Sequence, residues 1–502
     1  MEEEGEDVVE DGIWTKRSVP RTDVPFTKSY GPNIPVNAKT PSDIFSCLFP
    51  HSLVEKIVEQ TNLYAQQKNS KQEPVNKSEI LIFLGINILM GVKKLPSYRD
   101  YWASNPQLHD EYIASLMTVN RFGFLLSHLH VSDNSKEPKK GDPKYDKLYK
   151  LRPVIEALSE TFKTCWKPGK YQSIDESMIK FKGRNSMKQY MPDKPIKRGY
   201  KSWTRADESG FVCEFQIYTG KTESTEKQLG ARVIKDLTRE LVGGNHHVYF
   251  DNFFTGVDLL VSLKKDNIFA CGTVRSNRSK LTKSQKPDKS FKIGDYESRT
   301  STTGLQWIKW MDKKPLYFLS NYHDPSETTV VNCRQKNGSL LPINCPVVCA
   351  DYNKHMGYVD HADRLIATYK IDRKSKRWWL RLFWHFVDLA VVNSFVIYKE
   401  QNIQPPLTLK EFRLQLVLEL VDQKLRKPKG QKRKNKAVSQ HKPKVSLTKR
   451  RSESSNMPVH LDTFRRCALC STREKVKRTA WCCTQCNVPL CLSSEKILFR
   501  LS

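Results

Sequence analysis

Three aspartates stand where a carboxylate is costly unless it has a partner. Asp175 falls inside Tyr171-Gln-Ser-Ile-Asp-Glu-Ser-Met-Ile-Lys-Phe-Lys-Gly183, a strand-like run whose alternation would seat a core residue there. Strands disfavour Asp, and a buried carboxylate needs a partner or a metal. Asp251 follows the hydrophobic run Val248-Tyr-Phe, so it leaves the carboxyl end of a strand, where open α/β sheets place ligands. Met356-Gly-Tyr-Val-Asp-His-Ala-Asp363 puts Asp360 and Asp363 at i,i+3 on one helical face. Mg²⁺ (or Mn²⁺) is held by one or two such carboxylates plus substrate phosphates. Two ions about 4 Å apart activate the attacking oxygen and stabilise the leaving one in phosphodiester cleavage. The plainer alternatives are that Asp175 bonds its own turn and that Asp360 caps the helix that follows.

Cations crowd the same stretches. Lys180, Lys182, Arg184, Lys188, Lys194, Lys197, Arg198 and Lys201 follow Asp175 at once. Arg373, Lys374, Lys376 and Arg377 precede Trp378 and Trp379 and suit phosphate contact. His246 and His247 are adjacent in a strand and face opposite ways, so they read as surface or core histidines rather than metal ligands. Near the carboxyl end, Cys467-x2-Cys470, Cys483-x2-Cys486 and Cys491 have zinc spacing. The two pairs alone would complete one tetrahedral site.

Composition fits this chemistry. A formal charge of +30 over 502 residues favours an anionic polymer or surface as partner. Hydrophobic content of 38% and ten Trp exclude wholesale disorder. The acidic start (Glu2, Glu3, Glu4, Glu6, Asp7) has no apolar stretch of the kind a secretory signal needs. The apolar run Ile80–Val92 contains Asn87 and falls short of the ~20 residues of a membrane span, so it predicts a buried helix and no membrane partner. Six of the thirteen Cys lie between Cys467 and Cys491, which argues for metal in a reducing compartment.

The elements that must position these residues follow from the hydrophobic period. Residues 1–40 show no period and predict a disordered arm. From Pro41-Ser-Asp-Ile-Phe, with Ser42 as N-cap, apolar residues keep helical spacing to about 165. At Tyr171 the period changes, and the order becomes three strands, helix, strand, helix, strand: an α/β core. Residues 276–345 predict an inserted β-rich segment. Helix returns after 346, and Arg377 to Tyr398, apolar on much of its surface, predicts a deeply buried helix. Lys424 to Arg451 carries many basic residues and no acids. It predicts an unfolded linker, a nuclear import signal and a sequence-blind DNA contact.

The windows Ser-Ile-Asp175-Glu-Ser-Met, Tyr190-Met-Pro-Asp-Lys-Pro-Ile-Lys-Arg-Gly199, Phe250-Asp-Asn-Phe-Phe-Thr255, Met356-Gly-Tyr-Val-Asp360-His-Ala-Asp363 and Arg373-Lys-Ser-Lys-Arg-Trp-Trp-Leu380, in this order, resemble the piggyBac transposase family. The resemblance implies a ribonuclease H-like core with three catalytic aspartates, Asp175, Asp251 and Asp360, and a further acid, Asp363, beside them. It implies cutting of double-stranded DNA through a hairpin, insertion at TTAA, a homodimer and a nuclear location. The implied plan is an arm (1–40), a helical dimerisation and DNA-binding domain (41–165) and the catalytic core (166–275 and 346–400) around the insertion (276–345). A helical extension (401–423), the basic linker (424–455) and a cysteine-rich zinc module (456–502) complete it. For that module the family suggests two interleaved Zn²⁺ sites needing eight ligands. His460 and the six Cys, with Cys482 counted beside Cys467, Cys470, Cys483, Cys486 and Cys491, supply seven. Tyr358 departs from the family, which usually carries a second Gly there. Many vertebrate relatives are domesticated copies, so a catalytically silent DNA-binding or chromatin protein is the alternative expectation.

Overall fold

The structure is a computed structural model that describes residues 7–9, 12–16, 24–220, 228–334, 338–373, 375, 377–422, 458–468, 470–471, 475–484, 487–493 and 496–497. The basic linker lies outside the described residues. The chain divides into two compact units, Met1–Leu425 and Arg426–Ser502.

In the first unit the period change at Tyr171 is a change of layer. Before it come helices Pro41–Leu48, His51–Gln67, Lys77–Val92, Glu111–Leu116, Val119–His128 and Arg152–Cys165. The first is capped not by Ser42 but by Thr40, whose hydroxyl accepts from the Asp43 N–H while the Asp43 carboxylate accepts from the Thr40 N–H. Helix Lys77–Val92 is buried nearly all round. It can be so because helix Leu409–Asp422 covers it: a Cβ built on Gly85 would sit 3.5 Å from Val421.

The long helix Trp378–Glu400 belongs to this same apolar core, not only to the catalytic core with which the sequence grouped it. It is apolar enough to cross a bilayer, yet 94% of that window is buried inside the protein. Its Asn393 side chain bonds both the N–H (3.0 Å) and the carbonyl (2.9 Å) of Val212. It thereby satisfies backbone groups at the edge of the sheet.

After Tyr171 five strands form the α/β centre: Tyr171–Lys180, Arg198–Asp207, Val212–Ile217, His247–Phe250 and Phe269–Thr273. In space they run in the order third, second, first, fourth, fifth. The first three pair antiparallel and the last two join parallel to the first. His247–Phe250 is buried on both faces, as parallel strands between layers are. Helices Leu229–Thr238 and Val257–Lys265 pack on one face through Val233, Ile234, Leu259 and Leu263, against Ile174, Val248 and Phe250. Helix Tyr358–Thr368 lies across the opposite face of the first strand, tied there by the Val359 N–H on Ser173 Oγ at 3.2 Å.

The β-rich insertion does not stand apart. Strands Tyr296–Ser301, Gln306–Met311 and Pro315–Ser320 extend the same sheet beyond Phe269–Thr273, and Thr328–Arg334 with Leu340–Pro346 makes a separate hairpin. Nor is the whole amino-terminal arm unstructured. Gly12–Thr15 pairs with Tyr296–Ser301, and Trp14 is 2% exposed in the core beneath. Burying an indole offsets the ordering of the short segment that carries it.

The second unit contains an antiparallel pair, Pro458–Arg466 with Arg478–Cys483, around a small cluster of Cys467, Cys483, Val488 and Leu490.

Candidate active site

Register places the first two acids side by side. Ile174 pairs with Phe250 across the parallel strands, so Asp175 and Asp251 are the next residues on each. Side chains alternate along a strand. Ile174 and Phe250 therefore face the helix pair, while Ser173, Asp175 and Ser177 face helix Tyr358–Thr368. That helix starts after Gly357, which puts Asp360 in its first turn rather than at the cap. The capping alternative for Asp360 is thus set aside by the helix start.

The site is desolvated and short of positive charge. Burial pushes the Asp175 carboxyl up to about 6; Lys194, 3.5 Å away, opposes the shift, and Asp251 and Asp360 reinforce it. Asp251 is also raised, first by burial, although it accepts the Phe253 N–H at 2.9 Å. Burial raises Asp363 to about 6 as well, and its Oδ1 accepts the Ser177 hydroxyl at 2.6 Å. Asp363 is thereby turned to the strand and fixes the helix one turn beyond Asp360.

The donor set fits a divalent cation: hard oxygens whose charge is disfavoured by burial and by one another. Among the described residues only Cys467, Cys470 and Cys491 bring three ligand atoms within 4.8 Å of each other. The aspartates stand further apart, which suits ions whose shells substrate phosphates complete.

Ser173 and Ser177, which clamp the helix on either side of Asp175, were missed from the sequence; the alternation Ser-x-Asp-x-Ser is the signal that marks them. Missed too was Asp351, whose Oδ2 accepts from Tyr249 (2.7 Å) and Tyr322 (2.8 Å) and contacts His323 (3.0 Å). Burial would raise its carboxyl, but His323, His355 and Tyr249 together hold it well below the usual range. The departure at Tyr358 has a place here: its hydroxyl is bonded to the His355 ring. His246 and His247 are both buried, as core histidines.

The cation run divides. Lys180, Lys182, Arg184, Lys197 and Arg198 are exposed, the last over the Tyr190 ring at 5.0 Å. Lys188 is half-buried and bonds the Gly183 carbonyl at 2.8 Å. Lys201 differs from the expected phosphate contact: it is half-buried in an ion pair with Glu176 and packs on the Phe253 ring.

Arg373 likewise points inward. It donates to the buried Asn87 at 2.9 Å and sits over the Phe122 ring, and burial lowers its pKa to about 10. A polar Asn inside an apolar helix needs this partner, which is why the guanidinium is not offered to DNA. Arg377 is half-buried, donating to the Ser127 carbonyl at 2.6 Å. Lys374 and Lys376 lie outside the described residues.

In the second unit the thiol that joins Cys467 and Cys470 is Cys491, not Cys483 as the two-pair reading expected. Cys483 is buried in the same small cluster as Cys467, and Cys486 lies outside the described residues. His460 is exposed, its ring edge-on to Trp481 at 5.0 Å.

A third-second-first-fourth-fifth sheet carries one carboxylate inside its first strand and another just past its fourth. Residues 40–395 match the family model described as Transposase IS4. The chain belongs to this family, among its piggyBac-type transposases. It is 29% identical over 462 residues to human PiggyBac transposable element-derived protein 3, covering 90% of this chain and 75% of that one. With human PiggyBac transposable element-derived protein 2 it shares 27% over 401 residues, 77% of this chain and 66% of the relative. In fold it is similar to the piggyBac transposase in a cryo-EM structure of its synaptic complex with hairpin DNA. The TM-score is 0.70 at 23% identity, over 92% of this chain and 98% of that one.

Proposed function

We propose that this transposase-derived protein binds double-stranded DNA and retains divalent-metal-dependent strand cleavage and transfer, with TTAA as its target. The observation that carries the reading is the convergence of Asp175 and Asp251, from neighbouring parallel strands, with Asp360 from the helix clamped across them. These three would hold Mg²⁺ or Mn²⁺, which when bound supplies Lewis-acid activation of the attacking oxygen and charge neutralisation at the leaving one. Lys194 faces Asp175 and would lessen the repulsion between the acids and an incoming phosphate. Asp363 works through position, holding the helix by its bond to Ser177. Exposed Lys182, Arg184, Lys197 and Arg198 would neutralise the DNA backbone.

A homodimer and a nuclear location belong to the same proposal, as does zinc held by Cys467, Cys470 and Cys491. The silent-binder alternative takes the acidic arm and Tyr358 among its motives, and cleavage decides between the two readings. The test is cleavage of DNA with candidate terminal repeats flanked by TTAA, in Mg²⁺ or Mn²⁺, by the wild type and by Asp175→Asn, Asp251→Asn and Asp360→Asn. A wild type that binds those ends and never nicks them makes the silent binder the better account.

A further inference from the structure

One buried imidazole touches every element that carries an acid. The His355 ring, 1% exposed, stacks on Tyr171 with centroids 4.0 Å apart and on Tyr249 with centroids 5.0 Å apart. Tyr171 opens the strand of Asp175, and residues 171, 173 and 175 share one of its faces. Tyr249 stands on the neighbouring strand, two residues before Asp251. The third contact comes from the helix of Asp360. There the Tyr358 hydroxyl, two residues before the acid, is bonded to Nδ1 of the ring. Gly, usual in the family at 358, has no hydroxyl to offer, so this link is particular to the chain.

The ring is itself held from behind. Asp351 lies one turn earlier on helix Val347–His355, and its Oδ1 stands 3.3 Å from His355 Nε2. Its Oδ2 meanwhile takes the Tyr249 and Tyr322 hydroxyls and faces His323. With its proton on Nε2, towards the carboxylate, the imidazole accepts the Tyr358 hydroxyl on Nδ1. A ring engaged at both nitrogens and stacked between two tyrosines cannot turn without losing contacts on several elements.

The three acids need such a link. Burial works against carboxylates standing together, as the raised Asp175 and Asp251 show. Both serine bonds that seat the Asp360 helix start from the strand of Asp175. His355 and Tyr249 connect that helix to the strand of Asp251 as well.

We infer that His355, oriented by Asp351, is a positioning residue that sets the spacing of Asp175, Asp251 and Asp360 on which a divalent cation depends. The inference rests on the reading of these acids as a metal-dependent cutting site. It adds that their geometry is fixed from the buried side, through one ring and the tyrosines around it.

The test is Mn²⁺ titration of the full chain with a duplex carrying a candidate terminal repeat flanked by TTAA, read from the resonance of the free ion. Nicking of the same duplex is followed across Mn²⁺ concentrations. His355→Ala should weaken Mn²⁺ binding about 10–100-fold, as loss of a partner that orients metal ligands does. Tyr358→Phe removes one hydroxyl and keeps the ring, and should weaken it about fivefold. His355→Asn, whose side-chain carbonyl accepts the Tyr358 hydroxyl in place of Nδ1, should recover part of the alanine loss. Adding Tyr358→Phe to His355→Ala should cost nothing further, because the hydroxyl acts through the ring. DNA affinity should hold within about twofold, and the nicking defects should shrink as Mn²⁺ is raised. Melting temperatures within a few degrees of wild type certify folding.

Unchanged Mn²⁺ affinity in folded His355→Ala overturns the inference and leaves the cutting reading in place. If His355→Ala does not fold, unchanged affinity in Tyr358→Phe does the same. Weakened Mn²⁺ binding in the variants beside a wild type that never nicks supports the positioning role and removes the cutting reading. A wild type with no DNA-dependent Mn²⁺ uptake overturns both.

Discussion

The carboxylate cleft and the cysteine tail both gather ligands of one kind, and they hold them by different means. In the cleft the backbone does the work. Parallel pairing sets Asp175 beside Asp251, two serine bonds seat the helix that carries Asp360, and a large core lies beneath. The acids converge through the backbone that carries them, with raised pKa values and a lysine alongside. In the tail the apolar cluster is small, and Cys467, Cys470 and Cys491 meet around Val488 and Leu490. The lesson is that in the cleft the fold prepares the site, whereas in the tail the metal would complete the fold. Each prediction below breaks that contrast or sharpens it.

The largest effect belongs to the tail. Apparent binding energies of structural zinc are about 10–16 kcal/mol, far more than so small a core supplies. Chelation of the full chain under reducing conditions should therefore release backbone amides from Cys467 to Cys491 to rapid hydrogen exchange. Amides of strand Tyr171–Lys180 should keep their protection. A tail whose exchange ignores the chelator breaks the contrast at once.

Next come the acids. Asp175→Asn, Asp251→Asn and Asp360→Asn preserve shape and remove charge, so cutting should fall by about a thousandfold or more, roughly 4 kcal/mol. DNA affinity should hold within about twofold, because phosphate contacts to Lys and Arg supply it. Loss of binding in parallel with cutting would mean that these residues support the fold instead.

A smaller effect is in pH. The folded pKa of Asp175 lies near 6, above its ordinary value of 3.8. Its contribution is thus fully present below about pH 4 and is lost as pH rises through 6. Desolvation lowers His130, His246 and His385 to between about 3 and 4, and they work in the opposite sense. The comparison to make is accordingly wild type against Asp175→Asn without divalent metal. Between pH 7 and pH 5 the wild type should gain on the variant by about 1 kcal/mol, read from urea midpoints. A constant gap would show that Asp175 is not desolvated.

The smallest is Ser177→Ala. It removes one hydrogen bond from Asp363, worth about 1 kcal/mol, and should slow cutting about fivefold, well short of the Asp→Asn losses. A loss as large as theirs would put Asp363 among the metal ligands.

Much of the cleft was legible in the sequence because its signals are local. The switch of period at Tyr171, the hydrophobic run before Asp251 and the i,i+3 spacing of Asp360 and Asp363 each need only a short window. What was not legible depends on distant partners. Trp14 lies in a segment with no period, and the strand that shelters it is Tyr296–Ser301. Trp378–Glu400 announces its burial by being apolar all round, a pattern that names no neighbour; the neighbours are the amino-terminal helices. A run of cations likewise does not say which of them turns inward. Lys201 and Arg373 do so because Glu176 and Asn87 wait inside. In the tail, Cys-x2-Cys pairs show that metal is expected but not which pair Cys491 joins.

The most direct measurement is Mn²⁺ uptake by the full chain in the presence of DNA, followed by electron paramagnetic resonance. The wild type should take up Mn²⁺ strongly with DNA and weakly without it, since phosphates complete the shells. Asp175→Asn should lose that DNA-dependent uptake. Equal Mn²⁺ uptake by wild type and by the variant carrying Asp175→Asn, Asp251→Asn and Asp360→Asn together would contradict the account.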